Sequence, residues 1–205
     1  MFMPTGAGVE RAAVGQNAIV LPGEVSTKGR LLLATPPLGD PNFDRTVVFV
    51  LDHSSEGAVG VVLNRPSGEL DIDGLEDWRP LMSQPQEVFS GGPVEEDSLI
   101  ALGTAQGRNP DAWGDLDGGL GTVDLSLHPV ETADRIERLR LFRGYAGWGG
   151  GQLDAEISVG AWMVFDATED DIFSERPQEL WRDVLRRQGG RVAWVANAPD
   201  DLSLN

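Results

Sequence analysis

The seven residues VFSGGPV, Val88 to Val94, set a serine ahead of two glycines and a proline. A serine nucleophile of the hydrolase type needs a glycine two residues before it and a helix after it, so that a strained turn lifts the hydroxyl into reach. Val88 stands at the first of those places, and Pro93 pushes Gly92 out of helical geometry. A nest of backbone N–H groups holding an anion is the second chemistry such a loop offers, but Glu95, Glu96 and Asp97 follow at once and would repel a phosphate. The segment is therefore expected to be a tight turn with positive φ at Gly91, Gly92 or both. Ser90 stays a candidate nucleophile for a hydrolase-type reaction.

His53, in VLDHSS, has the side-chain type that titrates near neutrality, and it stands where an apolar run gives way to a loop. It is either a general base working with an acid such as Asp52 or Asp40, or a structural histidine that bonds the loop backbone. The other histidine, His128, precedes a proline. Two isolated imidazoles without HExxH spacing or thiols make a poor zinc set, so no metal or other cofactor is expected. Asp115, Asp117, Gly118 and Asp124 fall at the third, fifth, sixth and twelfth places of a calcium loop, but Trp113 would fill the first and no convincing helices flank it. Arg65, in NRP, and Arg45, before the preceding apolar run, each have two uses: clamping a carboxylate ligand or closing an internal ion pair.

The most suggestive stretch is GYAGWGGGQLDAE, residues 144 to 156. Its glycines let backbone approach closely, Tyr145 and Trp148 bring aromatic faces with polar handles, and Gln152 and Glu156 stand one helical turn apart. A glycine-rich entry to a helix usually suggests phosphate, yet Asp154 and Glu156 already place negative charge there. The stretch leaves open a neutral or cationic ligand, a protein partner, or glycines that only permit tight helix-on-sheet packing.

These groups have to be positioned by short elements. RLLLAT (30 to 35), TVVFVL (46 to 51) and AVGVVLN (58 to 64) read as strands, the second buried on both faces. Only Asp52 to Gly57 separate the second from the third, too few for a parallel crossover, so the pair is an antiparallel hairpin with His53 at its loop. A short helix around Gly74 to Leu81, a strand QEVFS and a strand SLIALGT (98 to 104) follow. The Gly- and Asp-rich residues 106 to 121 suggest a long surface loop, and GTVDLSL (121 to 127) alternates as a strand does.

Residues 131 to 142 place Ala133, Ile136, Leu139 and Leu141 near one stripe, with acids early and arginines late, and predict a helix. Further helices are expected over Gln152 to Val159 and over Pro177 to Gln188, with strands over AWMVFDA (161 to 167) and RVAWVA (191 to 196). Residues 1 to 28 read as a lead-in and 29 to 205 as one domain. Strands and helices alternate without regular βαβ spacing, which favours a mixed sheet in an α+β arrangement.

Composition narrows the function classes. With 16 Lys and Arg against 33 Asp and Glu the net charge is −17, and the densest basic run, Arg182, Arg186 and Arg187, shares its helix with Glu179 and Asp183. Nucleic acid and anionic membrane surfaces are not expected partners of such a chain. There is no cysteine, which excludes disulfides and thiol nucleophiles. The N-terminal MFMPTGAGVERAAVG lacks the basic start and continuous apolar core of a secretion signal, so a cytoplasmic location is expected.

Three segments together resemble one family. DPNFDRTVVFVLDHSSEGAVGVVLNRP (40 to 66), FSGGPV and GYAGWGGGQLDAEI (144 to 157) are similar, in that order, to the signatures of the YqgE/AlgH family of bacterial proteins. The resemblance runs from about Gly29 to the last strand and departs from the family in the Pro36-Pro37 pair and the 106 to 121 insert. It implies a largely antiparallel, bifurcated sheet folded into a pseudo-barrel with flanking helices, and a family whose biochemical activity is not established. One branch carries a transcriptional-regulator label, which the charge of this chain opposes.

The sequence lacks a convergent nucleophile, base and orienting group. The expected function is a non-catalytic, cytoplasmic binding or regulatory module for a small molecule or a protein partner. Its site would be built from His53, Arg65, Ser90, Gly91, Gly92, Tyr145, Trp148, Gln152 and Glu156. A hydrolase-type enzyme using Ser90 and His53 is the alternative. Self-association through an uncovered edge strand such as SLIALGT is left open.

Overall fold

The computed structural model describes residues 26–36, 43–70, 72–105, 113–117, 119–129 and 136–197. Nine strands share one sheet: β1 (Arg30–Ala34), β2 (Val47–Ser54), β3 (Gly57–Val62), β4 (Phe89–Ser90), β5 (Val94–Ala105), β6 (Trp113–Asp117), β7 (Leu120–Val123), β8 (Ile136–Gly149) and β9 (Trp162–Asp166). Their order is β6-β7-β5-β8-β3-β2-β1-β9, antiparallel throughout, with the two-residue β4 lying parallel to β8. Helices α1 (Gln152–Ser158), α2 (Glu169–Ile172), α3 (Leu180–Gln188) and α4 (Gly190–Val195) and a 3-10 segment over Glu76–Leu81 pack around it. The chain is a mostly antiparallel sheet curled into a half-barrel with a few helices, the expected α+β class.

Packing shows why the sheet curls. Leu31, Val47, Phe49, Val61, Leu102, Leu120 and Phe142 belong to one buried cluster although β1 and β7 stand near opposite ends of the strand order. Only a concave face brings them together. Helix α3 fills that face with Leu180, Trp181, Val184 and Leu185, one stripe of the helix, and each such side chain contributes about 1.5–3 kcal/mol on burial. The Trp181 indole N–H donates to the Ala34 carbonyl at 3.0 Å.

Alternate residues of the same strands face outward. Leu32, Val48, Val50, Ala58, Ala146 and Trp148 are covered by Leu153 of α1. Ala101, Val123, Leu139 and Leu141 are covered by Trp78 of the 3-10 segment and by Met82 just after it.

The sheet divides at β8. Residues 136 to 145 pair with β5, residues 146 to 149 pair with β3, and β4 enters beside Phe142 and Arg143. At the fork Gly91 donates to the Arg143 carbonyl at 2.7 Å and accepts from Val62 at 2.9 Å. A Cβ at Gly91 would overlap the Gly144 carbonyl, and one at Gly92, whose φ is 152°, would overlap the backbone of Tyr145. The glycines of FSGGPV are the condition for three backbones to meet.

Several expectations are corrected. The helix over 131 to 142 is, from Ile136 on, the first part of β8; residues 131 to 135 lie outside the described residues. The apparent polar face was misleading because Arg140 is 1% exposed and points into the core. RVAWVA is helix α4, turned back onto α3 by positive φ at Gly189 and Gly190. Of the expected loop over 106 to 121, residues 106–112 and 118 lie outside the described residues, while β6 and the start of β7 form a hairpin.

His53 lies within β2, paired with Ala58, because the hairpin turn is only Ser55 and Glu56. SLIALGT lies in β5 between β7 and β8: Leu99 to Thr104 pair with β8 and Leu102 to Thr104 also pair with β7, so its second half is no edge. Of the lead-in, residues 1–25 lie outside the described residues, but Thr27 is packed into the domain at 2% exposure.

Candidate functional site

The candidate residues fall into two constellations. The first surrounds α1. Glu156 accepts from the Trp148 indole at 2.9 Å, the Trp162 indole at 2.7 Å and the Gln152 amide at 2.9 Å. The Gln152 carbonyl oxygen in turn accepts from the Gly149 N–H at 3.1 Å. Phe43 packs against both indoles, with ring centroids 6.4 Å and 5.5 Å away. This carboxylate is a buried-side anchor that ties α1 to β8 and β9, and three of its lone pairs are already used.

His53 belongs to the same face, in one row with Ala58 and Trp148. Its Nδ1 accepts from the Thr27 N–H at 3.2 Å, with the Thr27 hydroxyl at 2.9 Å, and its Nε2 lies 3.7 Å from an Asp154 carboxylate oxygen. A neutral ring therefore carries its proton on Nε2, and the Nδ1 lone pair that a base would use is taken up by Thr27.

The second constellation sits at the fork. Arg65 donates to the Asp44 carbonyl, and its own carbonyl accepts from the Ser90 N–H at 2.8 Å. Asn64 bridges Arg45 and Val47, at 2.8 Å and 2.9 Å, so the NRP segment braces the turn before β2. The Arg45 guanidinium lies over the Trp181 ring at 5.5 Å. Ser90 is exposed. It pairs with Arg143, five residues before Trp148 on β8, which places its row roughly 16 Å from that of His53. The structure does not bring Ser90 within hydrogen-bond reach of His53.

Tyr145 stands between the two groups, opposite Val94, and packs on the concave cluster. Burial, then the charge and hydrogen bond of Glu95, push its phenol above the ordinary value. Next along the strand, the Glu69 carboxylate binds Arg143 through two hydrogen bonds of 3.1 Å and 2.7 Å and raises its guanidinium. Of the acidic positions compared with a calcium loop, Asp115 is exposed on β6 and the Asp124 carboxylate accepts from the Ser126 hydroxyl and then its N–H, which lowers it. Among the described residues no three acidic or histidine side chains are grouped to hold a metal.

One feature was not found from the sequence. At the mouth of the half-barrel a cavity of about 610 Å³ opens between β2, β5, β7 and α2. Phe49, Leu116, Leu120 and Ile172 line it, with Lys28 and Glu169 among its polar lining residues. Thr104, 5% exposed, contributes a hydroxyl that finds no hydrogen-bond partner among the described residues. These residues come from separate segments, and no motif connects them.

Residues 31–193 match the sequence model of the AlgH-like family, DUF179. A UPF0301 protein of Streptomyces coelicolor is 50% identical over 186 residues, covering 88% of this chain and 96% of the relative. A crystal structure of a protein from Corynebacterium diphtheriae is similar with a TM-score of 0.79 at 31% identity, over 86% of this chain and 94% of that one. The solution structure of the AlgH protein from Pseudomonas aeruginosa matches with a TM-score of 0.66 at 29% identity, over 89% and 99%. The three motifs that build the fork and the α1 anchor are thus set in a shared fold, and this chain belongs to the AlgH-like family.

Proposed function

We propose that the protein is a non-catalytic binding module with a regulatory role in the cytoplasm. The observation that carries this reading is the state of the candidate site groups. His53 is held between Thr27 and Asp154, Glu156 is held by two indoles and an amide, and Ser90 stands in a distant row with neither beside it. Acid–base catalysis needs a group with a free lone pair or proton at the reacting atom, and nucleophilic catalysis needs its base within reach.

The charge of −17 supports regulation through a ligand or protein partner rather than through the DNA backbone. The absence of cysteine suits a reducing compartment. The test is a metabolite panel followed by thermal shift, with each stabilising compound then incubated with the protein and its recovery measured by NMR. Stabilising compounds are expected to be recovered unchanged and to stabilise Ser90→Ala equally. Consumption of a compound by the wild type that disappears in Ser90→Ala would overturn the reading in favour of a hydrolase.

A further inference from the structure

We propose that the mouth of the half-barrel is a ligand site for an uncharged, largely apolar small molecule that presents one oxygen to Thr104. This rests on the binding role proposed above and assigns it a place and a ligand class.

Three observations carry it. The cavity of about 610 Å³ falls within the size range of small-molecule sites, and it lies between the curl of the sheet, the segment before β1 and the link from β9 into α2. Thr104 follows Leu102 by two residues on β5 and pairs with Leu120 of β7, both members of the concave cluster, so its side chain stands on the inner face. A hydroxyl buried there without a partner is the kind of exception that a native fold keeps for a reason. Thr104 borders the cavity with its hydroxyl turned out of reach of solvent, and rotation about χ1 brings that hydroxyl to a ligand hydroxyl or carbonyl, to which it can donate or from which it can accept.

The charges around the mouth decide the class. Lys28 is 3.3 Å from Asp52, and Glu169 is 3.3 Å from Arg138, which also reaches Asp170 at 3.0 Å. Each charged lining residue already has its counter-ion, and the rest of the lining is uncharged, with Phe49, Leu116, Leu120, Ala167 and Ile172 apolar and Ser26, Thr104 and Thr168 carrying hydroxyls. An ionised ligand group would be desolvated against those side chains without a free partner, a cost that one hydrogen bond does not offset. The net charge of the chain adds a general repulsion of anions.

The test titrates the full chain with octanol, octanoate and octylammonium and follows the backbone amide NMR signals, with the same titrations on Thr104→Val and Leu120→Trp. Octanol is expected to move the signals of Thr104, Leu120 and Ile172 and to bind at least about tenfold more tightly than either ion. Thr104→Val is expected to weaken octanol by about two- to tenfold, as for one neutral hydrogen bond, and to melt no lower than wild type, because it removes an unpartnered hydroxyl. Leu120→Trp, which fills the cavity, is expected to abolish the response.

Equal or tighter binding of an ion at these residues would overturn the ligand class while leaving the binding role standing, as would unchanged octanol affinity in Thr104→Val. Absence of any response at the cavity, with panel compounds stabilising the protein elsewhere, would overturn the site alone. The binding role itself fails only through Ser90-dependent consumption.

Discussion

Replacing Arg140 with methionine tests the reasoning about how this half-barrel is closed. The side chain is 1% exposed on β8, and its guanidinium donates to three carbonyls, Gln84 at 2.7 Å, Ile172 at 2.9 Å and Ser174 at 3.1 Å, while lying 4.4 Å over the Phe89 ring. It thereby ties the loop before β4 to the end of α2. Three hydrogen bonds from a charged donor contribute roughly 4.5–9 kcal/mol in total at about 1.5–3 each. Against this, burial and the neighbouring Arg138 charge pull the guanidinium down to about 10, a cost of roughly 3 kcal/mol.

The difference leaves a net loss on the order of 3 kcal/mol for Arg140→Met, and a melting point lower by roughly 6–12 °C for a chain of this length. Arg140→Lys should lose nearly as much, because an ammonium cannot span three carbonyls in the planar arrangement of the fork. Urea unfolding followed by fluorescence of the buried Trp78 and Trp181 measures both variants. A methionine variant as stable as wild type would mean that the buried charge costs as much as its bonds return, and would refute the assignment of Arg140 as the closing tie.

Three further outcomes are expected. Tyr145 is the only tyrosine, so near-ultraviolet absorbance titrates it alone, and its midpoint should lie above 10.0 and fall in Glu95→Gln while staying raised by burial. Because the folded state raises this acid, the associated stability is complete below the unfolded value and is lost as pH rises through the folded one, which alkaline unfolding curves check. Gly92→Ala should cost about 3 kcal/mol or more through strain and overlap with Tyr145, whereas Gly68→Ala, with positive φ but open space around it, should cost only about 1–2 kcal/mol. Circular-dichroism melts of the pair separate the two effects. Both indoles donate to one oxygen of Glu156, so Glu156→Gln keeps them on its carbonyl but turns its amide toward the Gln152 amide donor, and should lower stability by about 1–3 kcal/mol in chemical unfolding, with a change in tryptophan fluorescence.

Much of the fold was legible because local signals and tertiary packing agree. TVVFVL was expected to be buried on both faces, and Val47 to Leu51 are buried throughout. The short link to the next apolar run excluded a parallel neighbour, and β2 and β3 are antiparallel. Where signals and packing diverged, the sequence misled. Arg138 and Arg140 look like the solvated end of a helix, yet the Arg140 guanidinium is hydrogen-bonded to carbonyls inside the core and β8 pairs with β5 over eight registered positions. RVAWVA has the composition of a strand, but its place after Gly189 sets it against α3, with Trp194 78% exposed.

The site was less legible, for a reason that lies in what conspicuous residues do here. Glycines in FSGGPV and GYAGWGGG draw attention as ligand loops, yet Gly91, Gly92 and Gly144 are there because β4 and β8 pass within backbone contact. Trp148, Gln152 and Glu156 looked like a constellation and are one, but they bind each other and Trp162, and so fix α1. Motif density marks the places where this fold is hardest to build. Thr104, by contrast, sits at the end of an ordinary strand, and nothing local distinguishes it from a structural threonine. Its strand alternation puts it on the same face as Leu102, but whether that face is filled or left as a cavity depends on how far α2 and α3 reach beneath the curl. Helix α3 fills the inner end with Trp181 and Leu185, while α2 is a single turn ending at Ile172. The space above Thr104 therefore follows from a difference in helix length, which becomes a property of the site only once the sheet has curled.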